Sequence, residues 1–261
     1  MTDLHTVLDG PGDAPVLVLG PSLGTTLGLF DAQVAALAGT YRVVRFDLPG
    51  HGGSPTPTGP STIEGMASDV LAALERHRVE KFHYAGVSIG GAIGLRLAMD
   101  HRDRLLSLAV CASSARFADP PSWPARAATV RAEGTATMVA SRPGTWYTQS
   151  FALAHPAEEA RLLDMLRTTT DEGYAGCCEA IGGHDVRERL GEITVPTLAI
   201  AGEEDPATPP EMLAEISEGV TDAELVVVPD AAHLLNVERP EVVNPVLAEH
   251  LAAAEGRVRH G

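Results

Sequence analysis

Gly86-Val87-Ser88-Ile89-Gly90 places a serine between two glycines, directly after the apolar run Phe82 to Ala85 and before the small-residue stretch Gly91 to Leu95. Chemically, this pattern suits a nucleophile. A strand running straight into a helix needs a strained one-residue turn that pushes the serine hydroxyl outward. Gly86 and Gly90 remove the Cβ atoms that would collide as the helix closes over the strand. At a helix N-terminus the free N–H groups and the dipole favour negative charge, so the same turn suits an oxyanion. The chain holds a second Gly-x-Ser-x-Gly at Gly20-Pro21-Ser22-Leu23-Gly24. There Thr25 and Thr26 follow, β-branched residues poor at starting a tightly packed helix. Ser88 is therefore the candidate nucleophile, and Ser22 is not.

A serine hydroxyl needs a base, and the base an orienting carboxylate. Of the ten histidines, His233 lies in the loop after the last apolar strand, at the carboxyl edge that the serine turn also occupies. His77, His101, His155, His250 and His260 fall on helices expected to be exposed or on the tail, His83 within a strand, and His184 within a helical region. The carboxylate should also follow a strand, and Gly202-Glu203-Glu204-Asp205-Pro206 does so. Asp205, at the tip, is expected to face inward in preference to Glu203 and Glu204. Each loop alone reads as solvated acid or surface histidine; their joint placement after successive strands is what selects them. The loop after the early strand Val16 to Leu19 is the natural place for a second oxyanion donor, so the backbone N–H groups of Leu23 and Ile89 are assigned that role. Pro21 has no N–H and cannot serve. Asp47 and His51 invite a metal reading, but no third ligand has matching spacing, and the Gly- and Pro-rich loop reads as a structural turn. Neither metal nor cofactor is expected.

These residues need elements to hold them. Short apolar-rich runs at Val16–Leu19 (wholly apolar), Tyr41–Phe46, Phe82–Ala85, Leu105–Val110, Pro196–Ala201 and Glu224–Val228 alternate with helical patterns, as in a mostly parallel sheet flanked by helices. Leu4 to Leu8 adds a first strand. Ser61-Thr62-Ile63-Glu64 reads as a capping box opening a helix with Met66, Val70, Leu71 and Leu74 on one face. From Ser113 to about Arg189 the rhythm breaks: prolines interrupt it, and helical patterns at Ala157–Arg167 and Gly173–Ile181 follow with no strand between. The division is residues 1–112 and 190–261 as two parts of one α/β core, with 113–189 inserted as a helical cap.

At 261 residues, 44% hydrophobic and 4% aromatic, the chain is sized for one large core. Its net charge of −16 argues against nucleic acid or anionic membrane as a partner. No apolar run reaches the length of a bilayer span. The N-terminus lacks a signal-peptide pattern, and three cysteines form neither a disulfide framework nor a metal motif, so a cytoplasmic location is expected. Lys81 is the sole lysine, which disfavours Schiff-base chemistry. Oligomeric state is left open.

The Ser88, Asp205 and His233 loops together resemble the α/β-hydrolase superfamily, in which the triad follows the chain order Ser, Asp, His. In finer detail the chain resembles the 3-oxoadipate enol-lactonases. The stretches that carry this are Ser22-Leu23-Gly24-Thr25, Asp47 to Ser54, Gly86 to Gly91, Trp146-Tyr147-Thr148, Gly173 to Ile181, Asp205 to Pro210 and Ala231 to Asn236. One departure is that family members place an arginine directly before the cap tryptophan, where this chain has Thr145. The resemblance implies an α/β-hydrolase fold and hydrolysis of a small-molecule lactone bearing a carboxylate, in bacterial aromatic catabolism. With Thr145 in the usual arginine position, Arg142 is the candidate anchor for that carboxylate and Trp146 an apolar wall beside it, with Arg126 and Arg131 in reserve. An esterase, thioesterase or C–C bond hydrolase of the same fold, and a non-catalytic ligand-binding member, stand as alternatives.

Overall fold

The computed structural model describes residues 1–260, and side chains through Arg257, so the ring of His260 lies outside the described side chains. Seven strands, β1 (Thr6–Asp9), β2 (Val16–Gly20), β3 (Arg42–Phe46), β4 (Phe82–Val87), β5 (Leu105–Cys111), β6 (Thr197–Gly202) and β7 (Ala223–Val228), form one sheet in the order β1-β3-β2-β4-β5-β6-β7. β1 runs antiparallel to β3; the other pairings are parallel. β4 lies in the middle, and every one of its residues is buried, which is why it reads as largely apolar, with His83 the exception. β7 is an edge strand, and there Leu225 and Val227 are exposed.

Helices α1 (Asp31–Leu37), α2 (Ile63–Arg76) and α3 (Ile89–Asp100) alternate with the first strands. Between β5 and β6 come α4 (Ser122–Glu133), α5 (Gln149–Ala154), α6 (Pro156–Thr168) and α7 (Asp171–Gly182), with no strand among them. Helices α8 (Pro210–Gly219), α9 (Leu235–Glu238) and α10 (Pro240–His260) complete the chain. The cap signals are local. Thr170 accepts from the Gly173 N–H at 3.2 Å at the start of α7, and Pro156 with Glu158 and Glu159 opens α6.

Two expectations shift. The box expected to start at Ser61 starts one residue later: Thr62, in extended conformation, accepts from Gly65 N–H at 3.0 Å. Glu64 instead pairs with Arg96 across to α3 at 2.7 Å. His250, expected on an exposed face, is largely covered, and its Nε2 has no partner among the described residues. It belongs to the stripe Leu247, Leu251, Ala254 that α10 buries. Burial, with His83 nearby, pushes its pKa down to about 4. His83 bonds Ser107 Oγ and Glu255 Oε1, each at 2.8 Å, and so ties α10 to the sheet.

Because β2, β4, β6 and β7 run parallel, the loops after them all emerge at the same edge. There the chain places Pro21–Thr26, Ser88, Glu203–Pro209 and Pro229–Leu234.

Candidate active site

β4 ends at Val87 and α3 begins at Ile89, which leaves one residue for the reversal. Ser88 takes φ 59° and ψ −119°, a left-handed conformation that side chains rarely adopt. Surrounding bonds hold it there: its N–H donates to Cys111 O at 2.9 Å, and its carbonyl accepts from Ser113 Oγ at 2.6 Å. The flanking glycines are steric necessities. A Cβ on Gly86 would lie 2.3 Å from Gly90 O, and one on Gly90 would lie 2.1 Å from Gly20 O. The two Gly-x-Ser-x-Gly segments therefore pack backbone against backbone, and the second copy serves to let the first close.

Asp205 and His233 come from the loops after β6 and β7. Glu203 and Glu204 are exposed, whereas Asp205 is 2% exposed, as the turn predicts. Asp205 Oδ2 accepts from His233 Nδ1 at 2.8 Å. Its Oδ1 accepts from the N–H groups of Ala207 (2.8 Å) and Thr208 (3.1 Å), and Thr208 Oγ1 donates to Oδ2 at 2.6 Å. Burial alone would push this carboxyl up; His233 and the Thr208 bonds outweigh it and hold the pKa down at about 2. A proton on Nδ1, placed by that bond, leaves His233 Nε2 with its lone pair free. Ser88 and His233 line the same cavity. Among the described residues the Ser88 hydroxyl has no hydrogen-bond partner, and such contacts commonly tighten only when substrate is bound.

Leu23 lines this cavity too. Ile89 does not reach it with its side chain, which is buried, but its N–H is in the first turn of α3, where amides have no intrahelical acceptor.

The cavity, of about 450 Å³, is closed by residues from the segment between β5 and β6: Trp123, Arg126, Arg142, Thr145 and Trp146. Arg142 is 8% exposed. Its Nε donates to Met138 O at 3.1 Å and a terminal nitrogen to Ser141 Oγ at 2.7 Å, and its guanidinium carbon sits 5.5 Å from the centre of the Trp146 ring. No carboxylate pairs with it among the described residues. Burial lowers its pKa, and Arg126 adds to the effect. Arg126 stands 4.5 Å over Trp123. Arg131 is engaged elsewhere, bound to Glu172 and Glu179 on the surface.

Three contributors escape the sequence patterns. Thr208 and Ser113 brace the candidate triad through single hydroxyls, as above. Glu238 is buried with one oxygen accepting from Ala232 N–H (2.8 Å) and the other from Thr148 N–H (2.5 Å). It thus joins the His233 loop to the Trp146 segment, where Leu234 N–H also donates to Trp146 O at 2.7 Å. No local pattern marks such a residue, since its partners lie 6 and 90 positions away.

The chain matches the family model of the alpha/beta hydrolase fold over residues 15–240. It is 37% identical over 238 residues to 3-oxoadipate enol-lactonase 1 of Acinetobacter baylyi, covering 91% of this chain and 89% of that one. It is 31% identical over 253 residues to a putative carbamate hydrolase RutD of Azorhizobium caulinodans, covering 94% and 93%. The crystal structure of the enol-lactonase from Burkholderia xenovorans superimposes with a TM-score of 0.94 at 37% identity, covering 96% of this chain and 97% of that one. The chain belongs to the α/β-hydrolase family, as an ester hydrolase similar over nearly its whole length to 3-oxoadipate enol-lactonases.

Proposed function

We propose that this hydrolase opens the lactone ring of 3-oxoadipate enol-lactone to give 3-oxoadipate, with Ser88, His233 and Asp205 as its triad. Ser88 Oγ attacks the lactone carbonyl carbon as its proton passes to His233 Nε2, and the carbonyl electron pair moves to oxygen. The N–H groups of Leu23 and Ile89 receive that oxyanion. Collapse breaks the ring C–O bond as His233 Nε2 passes its proton to the leaving enolate, which becomes a ketone, so ring opening is hard to reverse and His233 is again a neutral base. Water, deprotonated by His233, then releases the acyl group from Ser88. Asp205, held as a carboxylate, steadies the imidazolium throughout. The helices of residues 113–189 serve as the cap that shapes the substrate end of the cavity. The site lies in a water-soluble catabolic enzyme of the cytoplasm on this reading.

One observation carries the choice of substrate. In a chain of net charge −16, Arg142 is buried in the cavity that Ser88 and His233 line, without an acid to pair with among the described residues. Such a guanidinium costs free energy to bury, and an incoming carboxylate is the partner it lacks. Trp146 shields that pair from water. The enol-lactone carries one free carboxylate, and the similarity to enol-lactonases supports the assignment. The test is a pair of substrates. Arg142→Ala is expected to raise KM for the enol-lactone about tenfold or more, and to leave hydrolysis of p-nitrophenyl acetate within about twofold. Equal effects on both esters remove Arg142 as the anchor, and turnover of a carbamate in place of the lactone moves the chain to the other group of relatives.

A further inference from the structure

The loop carrying Leu23 is held by two residues outside the candidate triad. Ser22 O accepts from Thr25 N–H at 3.1 Å and from Thr25 Oγ1 at 2.8 Å. Gly24, the third residue of this tight turn, has φ +78°, as a type II turn requires. In a trans peptide the C=O and the following N–H point in opposite directions. Two bonds to Ser22 O therefore fix where the Leu23 N–H points: away from Thr25, on the side where Leu23 lines the cavity. The next peptide is fixed independently. Gly24 N–H donates to His51 Nε2 at 3.0 Å, and His51 Nδ1 donates to Pro49 O at 3.0 Å. Types I and II differ by a flip of this central peptide, and the flip would turn Gly24 N–H away from His51. His51 is 0% exposed and sits in the Asp47–Ser54 loop, which also receives Leu27 N–H on Asp47 Oδ1 at 2.7 Å. That loop, which the sequence presents as a mere turn, braces the Ser22–Leu27 segment at Gly24 and at Leu27.

We propose that Thr25 and His51 are positioning residues that aim the Leu23 N–H at the oxyanion formed when Ser88 attacks an acyl carbon. This rests on the reading of Ser88 as nucleophile and Leu23 as donor. Neither residue touches the substrate. The bond they aim is strongest in the transition state, so its loss appears in kcat and leaves KM alone.

The experiment uses p-nitrophenyl acetate and an alkyl trifluoromethyl ketone. The ketone takes Ser88 Oγ onto its carbonyl carbon, passes the serine proton to His233 Nε2, and rests as a tetrahedral oxyanion. Thr25→Val keeps the side-chain volume and removes the hydroxyl; Thr25→Ser restores it; His51→Leu removes the acceptor for Gly24. Losing a whole oxyanion donor typically costs about 10²–10³ in kcat, so a misaimed one is expected to cost about tenfold. Thr25→Val and His51→Leu should each lower kcat about tenfold with KM within about twofold, and raise Ki for the ketone by the same factor as kcat falls. Thr25→Ser should stay within about threefold of wild type. Ki and KM do not depend on the folded fraction, so a less stable variant still reports. Should Thr25→Val yield no folded protein, the Ki to KM ratio of His51→Leu decides. Unchanged Ki to KM ratios, or a Thr25→Ser as impaired as Thr25→Val, overturn the inference. A wild type that a fluorophosphonate does not label at Ser88 fails the underlying reading instead, which keeps the two failures apart.

Discussion

At the scale of single residues, the candidate site depends on hydroxyls and carboxylates whose partners are backbone amides. Asp205 shows how. A carboxylate buried to this degree is unfavourable unless several donors converge on it, and here His233, Thr208 Oγ1 and two N–H groups do so. Thr208→Val keeps the size and the backbone donors and removes one charge-assisted bond of roughly 1.5–3 kcal/mol. Turnover is expected to fall about tenfold, since the carboxylate is then freer to rotate away from Nδ1. A stopped assay on purified Thr208→Val checks this, and wild-type turnover would show that Thr208 only decorates the loop. Asp205 itself was legible because it sits one strand before the His233 loop and at the tip of its turn. Thr208 was not, since nothing in Pro206-Ala207-Thr208-Pro209 says that the hydroxyl turns back three residues.

At the scale of elements, the β4–α3 junction is the most constrained contact. Gly20, Gly86 and Gly90 bring β2, β4 and α3 into backbone contact, and Tyr84 Oη donates to Gly90 O at 2.9 Å beneath them. Gly90→Ala would place a methyl 2.1 Å from Gly20 O, with backbone rather than a pliable side chain as the obstacle. The expected outcome is a loss of about 3 kcal/mol or more, on the scale of overpacked cores, and loss of activity with it. A thermal melt within 2 °C of wild type would show that the helix has room to withdraw. Much of this junction was readable, because small residues between an apolar run and a helix have few other uses. Strand partnering was less so. β1 pairs with β3 and not with its sequence neighbour β2, an arrangement that the burial of β2 on both edges decides. The pairings of Glu64 with Arg96 and of Glu255 with His83 are tertiary contacts that local pattern does not contain.

At the scale of the whole molecule, buried histidines couple stability to pH. His51, His184 and His250 are each pushed down to about 4, chiefly by burial, against an ordinary value near 6.5 in the unfolded chain. Above pH 6.5 both states are neutral at these sites and the full stability is present. As pH falls from about 6.5 to 4 the unfolded chain takes up protons that the folded chain refuses, so stability drops through that window. Asp205, with its pKa held at about 2, adds a further loss as pH falls from about 3.8 to 2. Repulsion within a chain of charge −16 declines and acts the other way as pH falls toward the isoelectric point near 4.9, so a single variant isolates the histidine effect. His51 is fully buried, and its share is on the order of 3 kcal/mol. His51→Gln is expected to melt less steeply with falling pH than wild type between pH 6.5 and 4.5. Parallel slopes would show that His51 is not the neutral, refused base described here. The acidic surface was plain in the composition; which histidines lay beneath it was not, because burial of His250 depends on how α10 rotates against β5.

The proposed function needs Ser88 as the nucleophile and an enol-lactone as its substrate. The most direct measurement is the turnover number of 3-oxoadipate enol-lactone with wild type, Ser22→Ala and Ser88→Ala, followed by loss of the enol-lactone absorbance. Wild type is expected to turn the lactone over, Ser22→Ala to stay within about tenfold of it, and Ser88→Ala to be lower by about 10³-fold or more. No turnover by wild type, or a Ser88→Ala as active as wild type, would contradict the proposed function.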